Sequence, residues 1–323
     1  MPTLRPQIPV FAGESGDTLR FIRQMGIEYV SLGMRRDQID YGFLESEEAR
    51  LMEHGLKVSD AWCPDFQKNK SIHLGLADRD KETDAFIHML DVYGRCGFPF
   101  TSIAWQPNGI LRTSRSVGKR SWGGETFICD QDEILSRPYA EGRLYSEEEI
   151  WDNFALFIEK VIPVAEETGV KLALHPNDPP LGCMAGIPSL IYDSDCYRKA
   201  FKLAGSRMLG MKLCVGCWLE AGEAFGDLMG DIREFNEDGR ILCVHFRNVS
   251  SKLPYFEETL AEDGYADMYA IMKELVAVGC DAVISIDHGF KPIEGFGGLA
   301  GSFAYSTGYM KAMMHIAERE VGL

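Results

Sequence analysis

Short apolar segments alternate with longer amphipathic segments along the whole chain. The short segments are rich in Val, Ile and Leu and predict eight β-strands, at Pro9–Ala12, Glu28–Leu32, Lys57–Asp60, Thr101–Trp105, Lys171–His175, Met208–Cys214, Ile241–Arg247 and Ala282–Asp287. Their apolar residues do not alternate cleanly with polar ones, which is typical of parallel strands covered on both faces. The pattern therefore favours a parallel sheet.

The amphipathic segments predict helices between these strands, at Thr18–Met25, Ser46–His54, Asp80–Cys96, Glu147–Thr168, Phe225–Phe235, Ala266–Val278 and Phe303–Arg319. Gly55, Gly97, Gly169 and Gly279 each follow a helical segment and precede a strand. The C-terminal end of a helix favours a residue with left-handed backbone at this place. Repeated units of helix and strand are typical of a parallel α/β fold.

Eight such units predict a single closed (β/α)8 TIM barrel that spans residues 1–323, because ~250 residues are typical of this fold and insertions lengthen it. An open doubly wound sheet is the alternative, but no GxGxxG motif follows the first predicted strand. Segment 106–143 follows the fourth strand and has no clear periodicity. Because loops at this end of a barrel cover the active site, we expect an insertion that covers the substrate. The alternative, a disordered surface excursion, fits poorly with Trp122, Phe127 and Ile128, which favour burial.

Composition and charge narrow the class of protein. The chain is 46% hydrophobic and 25% charged, with a formal net charge of −16, which argues against a nucleic-acid partner. No run of ~18 apolar residues predicts a membrane span, and the proline-rich start does not resemble a signal peptide. Nine cysteines, most of them inside apolar segments, are typical of reduced thiols in the cytoplasm. We expect a homo-oligomer, as for most soluble enzymes of this kind.

Four potential metal ligands lie at the ends of the last four predicted strands: His175 ends KLALH, Cys214 ends MLGMKLC, His245 lies in ILCVHFRN and Asp287 ends AVISID. The C-terminal ends of neighbouring barrel strands converge on one mouth, where the chemistry of this fold takes place. Two imidazoles, one thiolate and one carboxylate suit a divalent transition metal without selecting one. One such residue alone is more often structural, but four in register predict a metal site.

Two further cysteines compete for the thiolate position. Cys217 lies three residues after Cys214, but Cys214 stands where the strand ends, so we expect Cys214 to be the ligand. Cys243 shares the face of His245 at a deeper position and is predicted to belong to the core.

Other polar residues surround the predicted ligands. Arg247 and Asn248 follow His245, and an arginine at this place is suited to bind a substrate carboxylate with two hydrogen bonds. Asn177 lies in the rigid turn HPNDPP, and Trp105 ends the fourth strand. These two residues and Asn248 are predicted to contact the substrate. His288 follows Asp287 and is available for proton transfer. Glu257 and Glu258 either support the site or belong to a solvated loop.

The motifs resemble those of a known family. HPNDPP, LCVGC, VHFRNV, FEETL followed by DGYADMYAIMKEL, and IDHG occur in the order seen in mannonate dehydratases, and the earlier HLGLADRD is also similar. The resemblance extends from about Leu19 to Met313. It implies a xylose-isomerase-like barrel that holds a divalent metal, usually Mn²⁺, and a sugar acid as the small-molecule substrate.

What the family implies can be placed on this chain residue by residue. Its metal ligands correspond to His175, Cys214, His245 and Asp287, the four that strand position selects independently. Its catalytic histidine corresponds to His288, and its carboxylate-contacting arginine to Arg247. The implied reaction is dehydration of D-mannonate to 2-keto-3-deoxy-D-gluconate.

The chain departs from the family pattern after the DHG motif. Members usually carry Pro-Gly-Tyr there, whose tyrosine is the second catalytic group, whereas this chain is glycine-rich near Gly297 and Gly298. Tyr305 lies further on, in the last predicted helix, and is not expected to replace it. Two alternatives therefore remain: a sugar or sugar-acid isomerase or epimerase on the same barrel, and a non-catalytic protein that binds sugar acids.

Overall fold

The protein is described by a computed structural model that covers residues 4–109, 112–295 and 297–323. Residues 110–111, which belong to the predicted covering insertion, lie outside the described residues. Among the helices described, none is both long and apolar enough to cross a bilayer.

Eight parallel strands form the centre of the fold. In chain order they are β1 (Arg5–Phe11), β2 (Tyr29–Gly33), β3 (Lys57–Trp62), β4 (Phe100–Ala104), β5 (Lys171–His175), β6 (Leu209–Cys214), β7 (Ile241–His245) and β8 (Val283–Ser285). Hydrogen bonds join them in the order β3-β2-β1-β8-β7-β6-β5-β4, and β3 packs beside β4 to bring the sheet close to full closure. The predicted (β/α)8 barrel is confirmed, and each of its eight strands overlaps its predicted range, although the first begins four residues earlier than predicted.

Helices surround this barrel, at Gly16–Gln24, Tyr41–Glu53, Pro64–Gln67, Lys70–His73, Arg79–Cys96, Gln131–Leu135, Glu147–Thr168, Ser194–Ala204, Val215–Ala221, Leu228–Glu237, Met268–Ala277 and Gly298–Val321. The longer ones have the ends that their sequences predict. In Glu147–Thr168, Ser146 and Glu149 form a reciprocal capping box, and Gly169 ends the helix with φ +76°.

The helix Ser194–Ala204 was not predicted. Its sequence carries the necessary signals: the Asp193 side chain accepts a hydrogen bond from the Cys196 amide at 2.7 Å, and Gly205 ends the helix in left-handed backbone. Tyr197 and Phe201 lie one turn apart on its buried face. The helix could therefore have been predicted from its sequence.

The segment predicted to be an insertion contains ordered strands. Ser114–Val117 and Glu125–Asp130 form an antiparallel pair, which continues through Tyr255–Thr259 to Asn248–Val249 in a four-stranded sheet. The segment thus pairs with the loop that follows β7. Because it joins two of the loops at the C-terminal ends of the barrel strands, it holds the region around the predicted ligands in place.

Candidate metal centre

The ends of β5, β6 and β7 bring three of the predicted ligands together. Donor atoms of His175, Cys214 and His245 all lie within 4.8 Å of one another. The carboxylate of Asp287, just past β8, completes the group: its Oδ1 lies 2.9 Å from Nδ1 of His245, and its Oδ2 lies 3.7 Å from Sγ of Cys214. The four residues are buried or nearly so, and they form one cluster at the barrel mouth.

The backbone at Asp287 explains how this carboxylate reaches the cluster. Asp287 has φ +67°, in the left-handed region that few residues other than glycine adopt. Aspartate tolerates this conformation better than most residues, and strain of this kind is concentrated at functional sites. The turn ends β8 and directs the carboxylate towards His245 and Cys214.

The donor atoms fit a divalent metal ion. Nδ1 of His245 is buried and makes no hydrogen bond with the described residues, although Oδ1 of Asp287 is only 2.9 Å away. If two donor atoms each lie about 2.1 Å from one ion and the donor–ion–donor angle is about 90°, the donors are roughly 3.0 Å apart. The observed distance agrees with this value. In His175, Nδ1 lies 2.7 Å from the carbonyl oxygen of Pro176, which leaves Nε2 as the nitrogen with a free lone pair.

The thiol of Cys214 is held in a state suited to metal binding. Burial opposes ionisation, but the Cys217 thiol, the Arg247 guanidinium and His175 stabilise the thiolate and bring the pKa of Cys214 well below its usual value. Burial and the neighbouring Cys214 raise the pKa of Cys217. Cys214 is therefore the thiolate and Cys217 the thiol that supports it.

Arg247 occupies a different environment from the one predicted. Its side chain is 1% exposed and contacts the carboxylates of four acidic residues, Asp178 (3.3 Å), Glu220 (2.7 Å), Glu258 and Asp287 (3.3 Å). Its Nη2 also lies 3.8 Å from Sγ of Cys214. A guanidinium whose neighbours are protein carboxylates positions Asp287 and Cys214.

A second arginine, which the sequence did not single out, shares these carboxylates. Arg112 comes from the insertion, and its guanidinium contacts Asp178 at 2.6 Å, Glu258 at 2.8 Å and Glu220 at 3.1 Å. The two arginines and three acids are almost fully buried, and the favourable energy of such a network depends on each charge having its partners. Through Arg247 the network contacts two of the four candidate ligands, Cys214 and Asp287.

His288 links the network to the cavity. Its Nδ1 lies 2.9 Å from Oε2 of Glu258, while its Nε2 lies 3.6 Å from Oδ1 of Asp287. Burial opposes the charged form, but the negative charges of Asp287 and Glu258 raise the pKa of His288 to about 9. The ring of Phe127, from the insertion, packs on its outer side at 5.4 Å between centroids. Glu258 thus holds a protonated imidazole at the edge of the site.

A cavity of about 200 Å³ opens beside the ligands inside the barrel mouth. His175, His245, Asp287 and His288 form one side of it, and two lysines, Lys68 and Lys212, also line it. Sequence reasoning missed both lysines. The signal for Lys212 was present, because it precedes Cys214 by two residues in β6 and alternate residues of a strand share one face.

Three residues predicted to contact the substrate lie elsewhere. Trp105 is buried on the outer side of the barrel, with its ring 4.1 Å from that of His73 and 5.1 Å from that of Phe154. Asn177 is bonded through its side chain to backbone atoms of Trp105 and Ile191, and Asn248 to those of Ala261 and Ala266. The structure does not bring these three to the cavity, because their amide and ring groups hold loops and core together.

Comparison with known proteins identifies the family. The family model described as D-mannonate dehydratase (UxuA) matches residues 130–314, more than half of the chain. The chain belongs to this family. The motif resemblance is thereby confirmed, and with it the assignment to the hydro-lyases.

The chain is similar to several relatives named mannonate dehydratase. "Mannonate dehydratase 2" of Halalkalibacterium halodurans is 29% identical over 247 residues, which is 68% of this chain and 71% of that protein. "Mannonate dehydratase" of Streptococcus suis is 36% identical over 146 residues, 45% of this chain and 39% of that protein. The streptococcal match therefore spans less than half of the relative's own length.

Solved structures show the same fold. The crystal structure of mannonate dehydratase from Streptococcus suis serotype 2 covers 100% of this chain and 95% of that chain, with a TM-score of 0.86 and 22% identity. The structure of an L-ribulose 3-epimerase covers 98% and 97% of the two chains, with a TM-score of 0.63 and 15% identity. At these identities the likeness concerns the barrel alone.

Among the described residues, no tyrosine takes the place of the family tyrosine at this site. Tyr305 is 49% exposed on the last helix, and its hydroxyl contacts Glu262. No tyrosine is among the described residues that line the cavity. The described part of the cavity lining thus agrees with the departure from the family pattern that the sequence shows after the DHG motif.

Proposed function

We propose that the protein dehydrates a sugar acid of the aldonate class, with D-mannonate as substrate and 2-keto-3-deoxy-D-gluconate as product. One observation carries the proposal most strongly: His288 and the metal-ligand cluster face the same cavity inside the barrel of a mannonate dehydratase family member. His175, Cys214, His245 and Asp287 are proposed to bind one divalent ion, and Mn²⁺ is the metal that the family resemblance favours.

A bound divalent ion would supply Lewis-acid stabilisation of negative charge on the substrate oxygens. The residues of the chain prepare the site for it. His175 presents Nε2 because its Nδ1 is engaged with a backbone carbonyl, and Cys214 is kept as thiolate by its neighbours. Arg247 holds Cys214 and Asp287 from behind and is a positioning residue in this proposal.

His288 is proposed to act as the acid of the elimination. Dehydration breaks the C2–H and C3–O bonds of the substrate; the proton passes to a base and the oxygen at C3 leaves as water. Glu258 holds Nδ1 of His288, so Nε2 is the nitrogen available for proton transfer. Because the pKa of His288 is about 9, the ring carries a proton at neutral pH that it can give to the departing oxygen.

A second candidate function is isomerisation or epimerisation of a sugar on the same metal centre. It is favoured by the absence of a tyrosine from the described cavity lining, since these reactions use similar ligands and different acid and base groups. The family membership favours dehydration, which remains the principal proposal.

The test is a substrate screen with the Mn²⁺-loaded protein. We expect D-mannonate to lose the mass of one water and to form a 2-keto-3-deoxy acid, and the His288→Gln variant to lose most of this activity while it retains its metal. Other aldonates and uronates are screened in parallel. Interconversion of ketoses with no product from any sugar acid would overturn the dehydratase proposal in favour of the isomerase.

A cytoplasmic location and a homo-oligomeric state also belong to the proposal. All nine cysteines are free, which suits a reducing compartment. Trp122, which the sequence predicts to be buried, is instead 80% exposed, and Ile293 is 74% exposed. Both line one shallow surface pocket, and apolar exposure of this kind is typical of interfaces. Light scattering coupled to size-exclusion chromatography tests the oligomeric state, with Trp122→Ser as the variant expected to weaken it.

A further inference from the structure

Lys212 places a positive charge inside the barrel beside the metal ligands. It lies on β6, two residues before Cys214, so both side chains point to the barrel interior. Lys212 is 6% exposed and lines the cavity together with His245 and Asp287. An ammonium group is seldom buried to this extent without a partner of opposite charge.

No such partner is found in the parts of the chain that the structure describes: no carboxylate oxygen there lies within 4.0 Å of Nζ of Lys212. Asp60 is one acidic residue that interacts with its charge, at longer range. The Asp60 carboxylate is already bonded to Ser31 Oγ at 2.7 Å and to Ser59 Oγ at 3.2 Å. Because an unpaired buried charge is costly, the arrangement calls for an anion in the cavity.

The other cations of the region do not meet this requirement. Arg247 and Arg112 are surrounded by the carboxylates of Asp178, Glu220 and Glu258. Lys68 also has no carboxylate oxygen within 4.0 Å of its ammonium group among the described residues, but it is partly exposed, so water can solvate its charge. Lys212 is therefore the cavity cation best placed to receive a negative charge from outside the protein.

We propose that Lys212 binds the carboxylate of the substrate, the role that the sequence assigned to Arg247. The inference rests on the proposed function in that the ligand is a sugar acid. An ion pair at this place orients the carboxylate towards the metal ligands, and it stabilises the extra negative charge that the acid gains when its C2 proton leaves.

The same ion pair determines specificity. A neutral sugar or polyol of equal length offers the hydroxyl groups of a sugar acid but no partner for the ammonium. Its binding leaves Lys212 unpaired and desolvated, and a buried polar group left unpaired is a strong basis for discrimination. The site is thus built to select aldonates against ketoses and alditols.

The test compares binding of a charged and a neutral probe in a background that does not turn over. Mn²⁺-loaded His288→Gln protein is titrated calorimetrically with D-mannonate and with D-mannitol, which lacks the carboxylate. Adding Lys212→Met should weaken D-mannonate binding about tenfold or more and leave D-mannitol binding unchanged. Methionine keeps the length of the side chain, and Lys212→Gln is a second variant that keeps a polar end.

The control is Lys68→Met, which removes the other lysine of the cavity. It should weaken D-mannonate binding much less than Lys212→Met does. Unchanged D-mannonate binding in both Lys212 variants, with melting temperature and metal content preserved, would overturn the assignment, and so would a tenfold loss confined to Lys68→Met. The calorimetric experiment measures binding and does not depend on turnover. If the protein binds D-mannonate through Lys212 but does not dehydrate it, the proposed reaction is wrong and the role of Lys212 stands.

Discussion

Nδ1 of His245 and Oδ1 of Asp287 are 2.9 Å apart, yet they do not have the geometry of a hydrogen bond. Two electron-pair donors at this distance repel each other unless a proton or a cation lies between them. The distance is the one expected for two neighbouring ligands of one ion, in keeping with the proposed metal site. It leads to the first prediction.

Replacement of His245 or Asp287 by alanine should remove the metal and abolish activity while the barrel remains folded. Each variant deletes one donor from a set of four, and the remaining three bind the ion too weakly to retain it. Elemental analysis of the purified variants measures metal content, and circular dichroism measures the fold. His288→Gln is the matched control and should keep its metal; loss of metal from that variant would show that His288 is itself a ligand.

The two neighbouring cysteines should respond differently to the same substitution. Cys214→Ser should lose most of the bound metal, because a serine hydroxyl does not ionise near neutral pH. Cys217→Ser should be nearly silent, because a hydroxyl can still donate a hydrogen bond to the Cys214 thiolate. Metal content and turnover measured side by side check the pair. Equal losses in both variants would contradict the assignment of Cys214 as the sole thiolate ligand.

Glu258 and Glu220 lie in the same buried network but should differ in their contribution to stability. The charges of Arg247, His288 and Arg112 outweigh burial and lower the pKa of Glu258 to about 2, so Glu258→Gln removes a needed anion. Burial and the charge of Asp178 raise the pKa of Glu220 well above its usual value, so Glu220→Gln replaces a group that favours its neutral form.

We expect Glu258→Gln to lower the free energy of unfolding by about 3–5 kcal/mol, and Glu220→Gln to change it by less than about 1 kcal/mol. Urea denaturation at neutral pH measures both. An equal loss of stability in Glu220→Gln and Glu258→Gln would mean that both carboxyl groups are ionised in the folded protein.

His73 should make the fold sensitive to acid. Its ring packs on Trp105, and burial, aided by the positive charge of Lys68, lowers its pKa to about 3 from an ordinary value of 6.5. Between these two values the unfolded chain binds a proton that the folded chain does not. The contribution of the neutral ring to the free energy of unfolding is therefore fully present above pH 6.5. Between pH 6.5 and pH 3 it falls by about 1.4 kcal/mol for each pH unit.

The His73→Phe variant keeps an aromatic ring and should show a shallower loss of stability between pH 6.5 and pH 4.5. Denaturation at several pH values measures the slope, and His88→Gln, at an exposed helical position, is the control that should leave it unchanged. Identical slopes in wild type and His73→Phe would mean that His73 does not resist protonation in the folded state.

The barrel and its ligand cluster could be predicted because both follow from order along the chain. His175, Cys214 and His245 end strands that are neighbours in the sheet, and a parallel barrel places all such ends at one mouth. Asp287 follows the same rule, with a left-handed turn that the sequence does not reveal.

The roles of the arginines and lysines could not be predicted in the same way. The partners of Arg247 include Asp178, 69 residues earlier in the chain, and only the folded barrel shows that these carboxylates occupy its guanidinium. Trp105 was predicted from its place at a strand end, but the strand stops at Ala104, and the ring turns outward to pack on His73. A side chain just past a strand end lies inside or outside the barrel according to a local turn.

The contact of Arg112 with Asp178, Glu220 and Glu258 has a consequence for the exchange of loops on this barrel. A long loop is usually the freest part of a barrel to exchange, but this one supplies one of the two guanidinium groups that neutralise acids in the barrel itself. A chimaera that receives the corresponding segment of a relative inherits an excess of buried negative charge unless the graft brings a cation to the same point. In this protein, loop and barrel therefore form one electrostatic unit.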